Sequence, residues 1–153
     1  RDFAEPKPGT VFDLYCGTGT IAQIISPLAD EVIGIEIVAE AIEAARENAR
    51  INGLDNCRFI TGDVLVELDA IRSEPDLIIL DPPRGGIHPK ALEKVIGIGA
   101  PHLVYVSCQP VSLAKDLGVL AASGYSATMV KCVDMFPHTP HIETVVKLEA
   151  QLG

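Results

Sequence analysis

Short β-branched apolar runs alternate with longer stretches of helical period along nearly the whole chain, and few architectures accommodate that alternation. It calls for a parallel sheet with helices on both faces, because each parallel pairing needs a crossover connection. Strands are expected over 10–15, 31–36, 57–61, 75–80 and 103–107, and helices over 18–28, 39–52, 64–72, 89–98 and 111–122. Leu77-Ile78-Ile79-Leu80 is apolar throughout, as a strand buried on both faces requires. The helix over 39–52 carries the clearest period: Ala41, Ile42, Ala45 and Ala49 recur on one side, and Gly53 stands where a C-terminal cap belongs. Beyond Gly124, strands over 126–135 and 142–149 follow without a helix between them, so they pair antiparallel. The expected fold is α/β: a mostly parallel seven-stranded sheet with an antiparallel C-terminal hairpin and helices on both faces.

A chain of 153 residues fits one domain of about 100–200 residues. With 48% apolar and 22% charged residues it has material for a packed core, and its composition is not that of a disordered chain. No apolar run approaches the roughly 20 residues that span a bilayer, and the N-terminus lacks the basic-then-apolar layout of a signal peptide. No membrane partner is expected, and the expected setting is cytoplasmic. Cys16, Cys57, Cys108 and Cys132 are widely spaced and form no Cys-x-x-Cys pair, so neither a zinc site nor a disulfide is expected. The net charge of −9 sets a constraint of its own. Proteins that grip phosphates by themselves are normally basic, so either the partner is not a nucleic acid or the basic surface lies outside these residues.

Asp13-Leu14-Tyr15-Cys16-Gly17-Thr18-Gly19-Thr20 follows the first strand and opens a helix. Its glycines permit a tight turn and let backbone approach a ligand. With Ala22 the same run also satisfies the nicotinamide fingerprint, and a purely structural turn is a further reading. Three carboxylates narrow the choice: Asp13 precedes the turn, Glu36 ends the second strand and Asp63 follows the third. In open α/β sheets ligands bind beyond the carboxyl ends of the strands. There Glu36 can accept from both ribose hydroxyls, Asp63 can take an adenine amino group, and Asp13 suits the cationic methionine end. Any one of them alone reads equally well as a solvated strand end. Together they favour S-adenosylmethionine over a dinucleotide, because a phosphate ligand is repelled by an acidic surround.

Asp81-Pro82-Pro83-Arg84 closes the fourth strand, and two prolines there make a rigid loop at the ligand crevice. Enzymes that methylate exocyclic amines carry an aromatic residue in the fourth position of similar motifs; Arg84 argues for a different nucleic-acid reaction. Ser107-Cys108-Gln109-Pro110 closes the fifth strand. Carbon 5 of uracil needs a thiolate added at carbon 6 before it can attack a methyl donor, a step suited to cysteine. Cys108 alone reads as readily as a small strand-end hydrophobe. Glu143 begins the last strand next to the fifth, where a carboxylate can remove the carbon-5 proton; the alternation with Ile142 equally fits a solvated glutamate. His138 and His141 have His-x-x-His spacing, but they sit in a proline-bearing loop without a third ligand, and no metal is expected.

Asp-Leu-Tyr-Cys-Gly-Thr-Gly-Thr, Asp-Pro-Pro-Arg-x-Gly, Tyr-x-Ser-Cys-x-Pro and Asp-Met-Phe-Pro-His-Thr-x-His-x-Glu-Thr occur in this order over nearly the whole chain. Together they resemble the RNA 5-methyluridine methyltransferases. The resemblance implies a class I, Rossmann-like methyltransferase fold whose last strand inserts between its predecessor and the fifth. It implies that Cys108 is the nucleophile, that Glu143 is the base and that Asp81 contacts or positions the target pyrimidine. It also implies S-adenosyl-L-methionine as cofactor, with Glu36 and Asp63 as its acids. The complete expected binding set is Asp13, Tyr15, Gly17, Gly19, Glu36, Asp63 and Asp81. The substrate implied is RNA, and the Asp-Met-Phe-Pro-His-Thr wording looks more like the ribosomal-RNA branch than the transfer-RNA branch.

Members of that family also carry an N-terminal OB-like RNA-binding domain, often with an iron–sulfur cluster, and a Phe-x-Gln segment upstream. Neither is found in residues 1–153, which therefore read as one catalytic domain whose phosphate-binding surface is supplied by other modules. Three rival readings differ in class: a methyltransferase acting on another nucleic-acid atom, a nicotinamide oxidoreductase, and a cofactor-holding module without chemistry.

Overall fold

The computed structural model describes residues 9–135, 137–139 and 142–151. His141 of the His-x-x-His pair, together with Phe136 and Pro140, lies outside them. The strands are β1 (Thr10–Leu14), β2 (Glu31–Glu36), β3 (Cys57–Thr61), β4 (Leu77–Leu80), β5 (His102–Ser107), β6 (Tyr125–Val133) and β7 (Glu143–Ala150). The helices are α1 (Thr20–Ile25), α2 (Ala39–Ile51), α3 (Val64–Glu67), α4 (Pro89–Ile98) and α5 (Pro110–Ala122). They build one seven-stranded sheet in the order β3-β2-β1-β4-β5-β7-β6. The first five strands pair parallel, whereas β7 runs antiparallel between β5 and β6, as expected.

Alternation along the strands sorts the core into two layers. Phe12, Leu14, Ile78, Leu80, Leu103 and Tyr105 point to one face, where α3, α4 and α5 cover them with Val64, Leu92, Val95, Leu113 and Leu120. Val11, Val32, Leu77 and Ile79 point to the other face, under Ala22 and Ile25 of α1 and Ile42, Ala45 and Ala49 of α2. Every residue of β4 is buried, so the apolar run reflects its place at the centre of the sheet.

Several element ends differ from the sequence reading. β1 stops at Leu14 because Tyr15 turns to a φ of 65°. α1 begins at Thr20 rather than Thr18, since Gly19 takes a left-handed φ of 73° as its N-cap. The helix yields to a 3₁₀ turn at Ser26–Leu28, where Pro27 removes a donor. α3 ends at Glu67, well short of Arg72. β4 begins at Leu77, directly after Asp76, whose carboxylate accepts the Gly9 and Thr10 amides, each at 2.9 Å.

One close approach links this packing to the loop above it. A Cβ added at Gly34 in β2 would lie 2.7 Å from the Phe59 ring and 2.9 Å from Cys16 Sγ, both part of the core under the glycine turn. Overpacking of this kind costs about 1–3 kcal/mol. Gly34→Ala is therefore expected to lower the unfolding free energy by that amount, read as a lower urea midpoint at an unchanged slope; unchanged stability would show that Phe59 and Cys16 give way freely.

Candidate active site at the carboxyl edge of the sheet

The connections from β1 and β4 leave in opposite directions, which opens a crevice at the carboxyl ends of the parallel strands. A cavity of about 610 Å³ occupies it. Its floor and one side come from Tyr15 after β1, Glu36 ending β2, and Gly62 and Asp63 after β3. The other side comes from the β4–α4 loop through Asp81, Pro83, Gly86 and His88.

The glycine turn is shaped by three residues with positive φ: Tyr15 at 65°, Gly17 at 52° and Gly19 at 73°. Gly19 has no room for a side chain, since a Cβ there would meet the Phe59 ring at 2.7 Å. A Cβ on Gly17 would meet nothing within 4 Å among the described residues, so the outer side of the turn is open. Tyr15 is a non-glycine residue in a disfavoured region, a form of backbone strain that clusters at functional sites. Glu36 ties the turn to β2: its carboxylate accepts the Gly17 amide at 3.2 Å and the Val38 amide at 3.0 Å. Each oxygen keeps a lone pair for a ligand. Asp63 caps α3 by accepting the Leu65 amide at 2.8 Å, and it is exposed to the cavity.

Asp13, Gly17 and Gly19 do not line the cavity. Asp13 is fully buried beneath the turn, where one oxygen accepts the Ala22 amide at 2.9 Å and so anchors the start of α1. Its other oxygen is buried without a partner among the described residues. Burial, with the negative charge of Asp81 adding to it, pushes the Asp13 carboxyl up to about 7.

The expected catalytic residues gather on the far side of Asp81 from the cavity. β5 and β7 pair up to Ser107 opposite Thr144, so Cys108 and Glu143 are the next residues on two neighbouring strands. Both are half-buried. Asp81 follows β4, the other neighbour of β5. Burial and the nearby charge of Glu143 push the Asp81 carboxyl up to about 6. Cys108 is framed by a tight turn in which Ser107 Oγ accepts the Gln109 amide at 3.0 Å and donates to the Gln109 carbonyl at 3.1 Å. Asp81 thus belongs to both parts of the site, lining the cavity and facing the Glu143 charge.

Two contributors escaped the sequence reading. His88 lines the cavity while its Nδ1 accepts the Lys90 amide as the N-cap of α4. Its position before Pro89, the first residue of a helix, was the available signal. Asp116 is buried in α5 and reaches back to the loop that carries Asp81. A carboxylate on the inward stripe between Leu113 and Leu120 was the sign of it. Among the described residues no group of three or more His, Cys, Asp or Glu is placed to hold a metal, and no helix is long and apolar enough to cross a membrane.

An open α/β sheet with an antiparallel last hairpin and an acid-lined crevice defines a Rossmann-like, cofactor-binding class of enzyme. Residues 7–141 match the family described as "Methyltransferase domain", and the chain belongs to that family. It is 59% identical over 149 residues to an uncharacterized RNA methyltransferase of Clostridium tetani, covering 97% of this chain and 33% of that protein. It is 51% identical over 150 residues to another of Caldanaerobacter subterraneus, again covering 97% of this chain and 33% of that protein. The chain therefore spans about a third of the length of these curated relatives. A solved structure, the Pyrococcus abyssi tRNA (uracil-54, C5)-methyltransferase in complex with S-adenosyl-L-homocysteine, superposes with a TM-score of 0.82 at 34% identity, covering 92% of this chain and 34% of that one. The precorrin-6y C5,15-methyltransferase of Geobacter metallireducens, at 15% identity and a TM-score of 0.80, covers 97% of this chain and 85% of its own; it shares the fold alone.

The buried Asp13 carboxyl makes stability depend on pH. Unfolded, it ionises near 3.8; folded, it keeps its proton up to about 7. Its stabilising contribution is therefore complete below the first value and is lost as pH rises through the second. Asp13→Asn cannot ionise, so its unfolding free energy relative to the unaltered protein is expected to climb between those two values and level off above them. Urea unfolding at a series of pH values reads this directly, and a difference that stays flat removes Asp13 as the source.

Proposed function

We propose that this chain is the S-adenosylmethionine-binding catalytic domain of an RNA methyltransferase that methylates carbon 5 of a uridine through Cys108. The observation that carries this reading is the meeting of Asp81, Cys108 and Glu143 at the ends of β4, β5 and β7, beside a cavity lined by acids. The likeness to RNA methyltransferases and to a tRNA uracil-C5 enzyme supports the same substrate class.

The cavity suits the cofactor on its own chemistry. Its volume of about 610 Å³ lies in the range of small-molecule sites. Glu36 offers free lone pairs to a ribose and Asp63 offers an acceptor to an adenine amine. The crevice offers carboxylates, which match a sulfonium and oppose a phosphate. When bound, S-adenosylmethionine supplies the methyl group that carbon 5 takes up.

The chain's residues do the remaining work. The Cys108 thiolate adds to carbon 6, forming a carbon–sulfur bond and shifting the ring electrons onto carbon 5. After methylation Glu143 removes the proton from carbon 5. The carbon 5–carbon 6 double bond then re-forms and expels the thiolate. Asp81, between cavity and thiol, positions the pyrimidine. The phosphate-binding surface of the enzyme lies outside these residues, in keeping with their net charge of −9. The Asp134-Met135-Phe136-Pro137-His138-Thr139 wording favours ribosomal RNA over transfer RNA, and a cytoplasmic setting suits either.

Two measurements test the reading. Losing hydrogen bonds to a charged acceptor costs about 1.5–3 kcal/mol, so Glu36→Ala is expected to weaken S-adenosylhomocysteine binding about tenfold or more in a calorimetric titration. Unchanged affinity would remove Glu36 from the site.

The order of steps separates the two catalytic residues. In the full-length protein Cys108→Ala is expected to abolish both methylation and any covalent RNA complex. Glu143→Gln keeps its shape but cannot take the proton, so a methylated, denaturation-resistant protein–RNA adduct should accumulate on a gel with radiolabelled methyl donor. Methylation by Cys108→Ala would sink the covalent mechanism, and normal turnover by Glu143→Gln would leave Glu143 a solvated strand residue. Mass spectrometry of nucleosides from ribosomal and transfer RNA, with and without the enzyme, identifies the target.

A further inference from the structure

The β4–α4 loop, which carries Asp81, is fastened to the helix that begins just beyond Cys108. Asp116, in the second turn of α5, is only 4% exposed. Its Oδ2 accepts the Ile87 amide at 2.9 Å and the Tyr105 hydroxyl at 2.6 Å. One turn earlier, Ser112 Oγ lies 3.0 Å from the Arg84 carbonyl oxygen and 3.0 Å from that of Gln109, sharing its single proton between them. Between these two fastenings Gly86 has a φ of 82°, and a Cβ there would sit 2.7 Å from Asp116 Oδ2.

None of this is required for packing alone. The inward stripe of α5 is otherwise Leu113 and Leu120, and a leucine at 116 would continue it. A buried carboxylate is costly unless its hydrogen bonds are complete, and replacing such groups by apolar residues of similar volume is often neutral or stabilising. Asp116 instead takes one donor from β5, the strand that leads into Cys108, and one from the loop that begins at Asp81. Tyr105 pairs with Leu80, the residue directly before Asp81. One carboxylate therefore ties together the two arms on which the nucleophile and its neighbouring acid stand.

We propose that Asp116 is a positioning residue: with Tyr105, Ser112 and Gly86 it locks the loop of residues 81–88 onto α5 and so sets the spacing between Asp81 and Cys108. The inference rests on the uridine reading for its catalytic consequence, but the lock itself is a property of the fold. It makes Gly86 part of the site for a reason other than cavity lining, since a side chain there would push the carboxylate off both donors.

The test compares Asp116→Leu, Tyr105→Phe and the unaltered full-length protein in three measurements. These are covalent adduct formation with 5-fluorouridine RNA, S-adenosylhomocysteine affinity, and amide hydrogen exchange across residues 82–88. Asp116→Leu should fold, because leucine completes the apolar stripe, and Tyr105→Phe keeps the ring while deleting a single donor. Misplaced reacting groups lose rate steeply, so adduct formation by Asp116→Leu is expected to slow about tenfold or more. Its cofactor affinity should change by less than that, and the Ile87 amide should exchange faster. Tyr105→Phe should shift all three in the same direction to a smaller extent, and Asp116→Asn, which keeps an acceptor, should recover most of the rate. Adduct formation at the unaltered rate, or a loss no greater than the loss in cofactor affinity, overturns the proposal. If the unaltered protein forms no adduct, the uridine reading fails instead, and exchange alone judges the lock: unchanged exchange across 82–88 in both variants overturns it.

Discussion

The burial of β1, β4 and β5 between two helical layers governs where anything reactive can stand. Val11 through Leu14, all of β4 and Leu103 through Tyr105 are closed to solvent, so ligand-facing groups must lie beyond the strands. Parallel pairing brings the carboxyl ends of five strands to one edge. Tyr15, Glu36, Asp63, Asp81 and Cys108 are the residues that end or follow those strands. An antiparallel strand reaches the same edge with its first residue rather than its last, and that residue in β7 is Glu143. The C-terminal hairpin thus adds a carboxylate to an edge that parallel units alone fill with residues leaving strands.

Gathering carboxylates at one edge has an electrostatic consequence. Burial holds the protons of the Asp13 and Asp81 carboxyls more tightly than water does, and the charge of Asp81 on the first and of Glu143 on the second adds to it. Like charges in a poorly hydrated crevice are relieved by protonation or by a cation. A sulfonium in the cavity would relieve Asp81 without a proton and draw its carboxyl back down. Occupation of the cavity and the charge state at the end of β4, the strand beside β5, are then linked, and the linkage runs through Asp81, which lines the cavity and faces the Glu143 charge.

Sequence patterning revealed the sheet well because its signals were local. Four apolar residues in a row told of a doubly covered strand, and the spacing of Ile42, Ala45 and Ala49 told of a helix with one buried side. Element ends were less legible where one backbone angle decides them, as at Tyr15 and Gly19. In the site, Glu36, Asp63 and Asp81 stand in the cavity wall, whereas Asp13 looks inward and bonds the first turn of α1. The strand's alternation carries that answer in outline, since Asp13 shares a face with Val11, but a buried aspartate runs against its residue type. Asp116 showed only as a carboxylate on an apolar stripe, with nothing to say what it bonds. Its partners, Ile87 and Tyr105, lie 29 and 11 residues away, and no local pattern connects them.

The division of the site into two halves separates what the fold determines from what it leaves open. The cavity over β1 to β4 is built from a turn, two strand ends and a helix cap, all backbone-dominated devices. A precorrin methyltransferase at 15% identity keeps the same architecture with a TM-score of 0.80, so the scaffold persists when nearly every side chain has changed. Substrate chemistry has to be written elsewhere. Here the candidates are few, because the far half consists of Cys108 in its serine-framed turn, Glu143 across the ladder on one side and Asp81 after β4 on the other. A thiol with a carboxylate on the adjacent strand suits a reaction that both adds to a ring and later withdraws a proton from it. Amine methylation needs neither group. On the proposed uridine reading the chemistry would be decided by two residues at the β5–β7 edge, and the lock proposed for Asp116 would hold the spacing between Asp81 and Cys108 that a scaffold shared by many chemistries needs for this one.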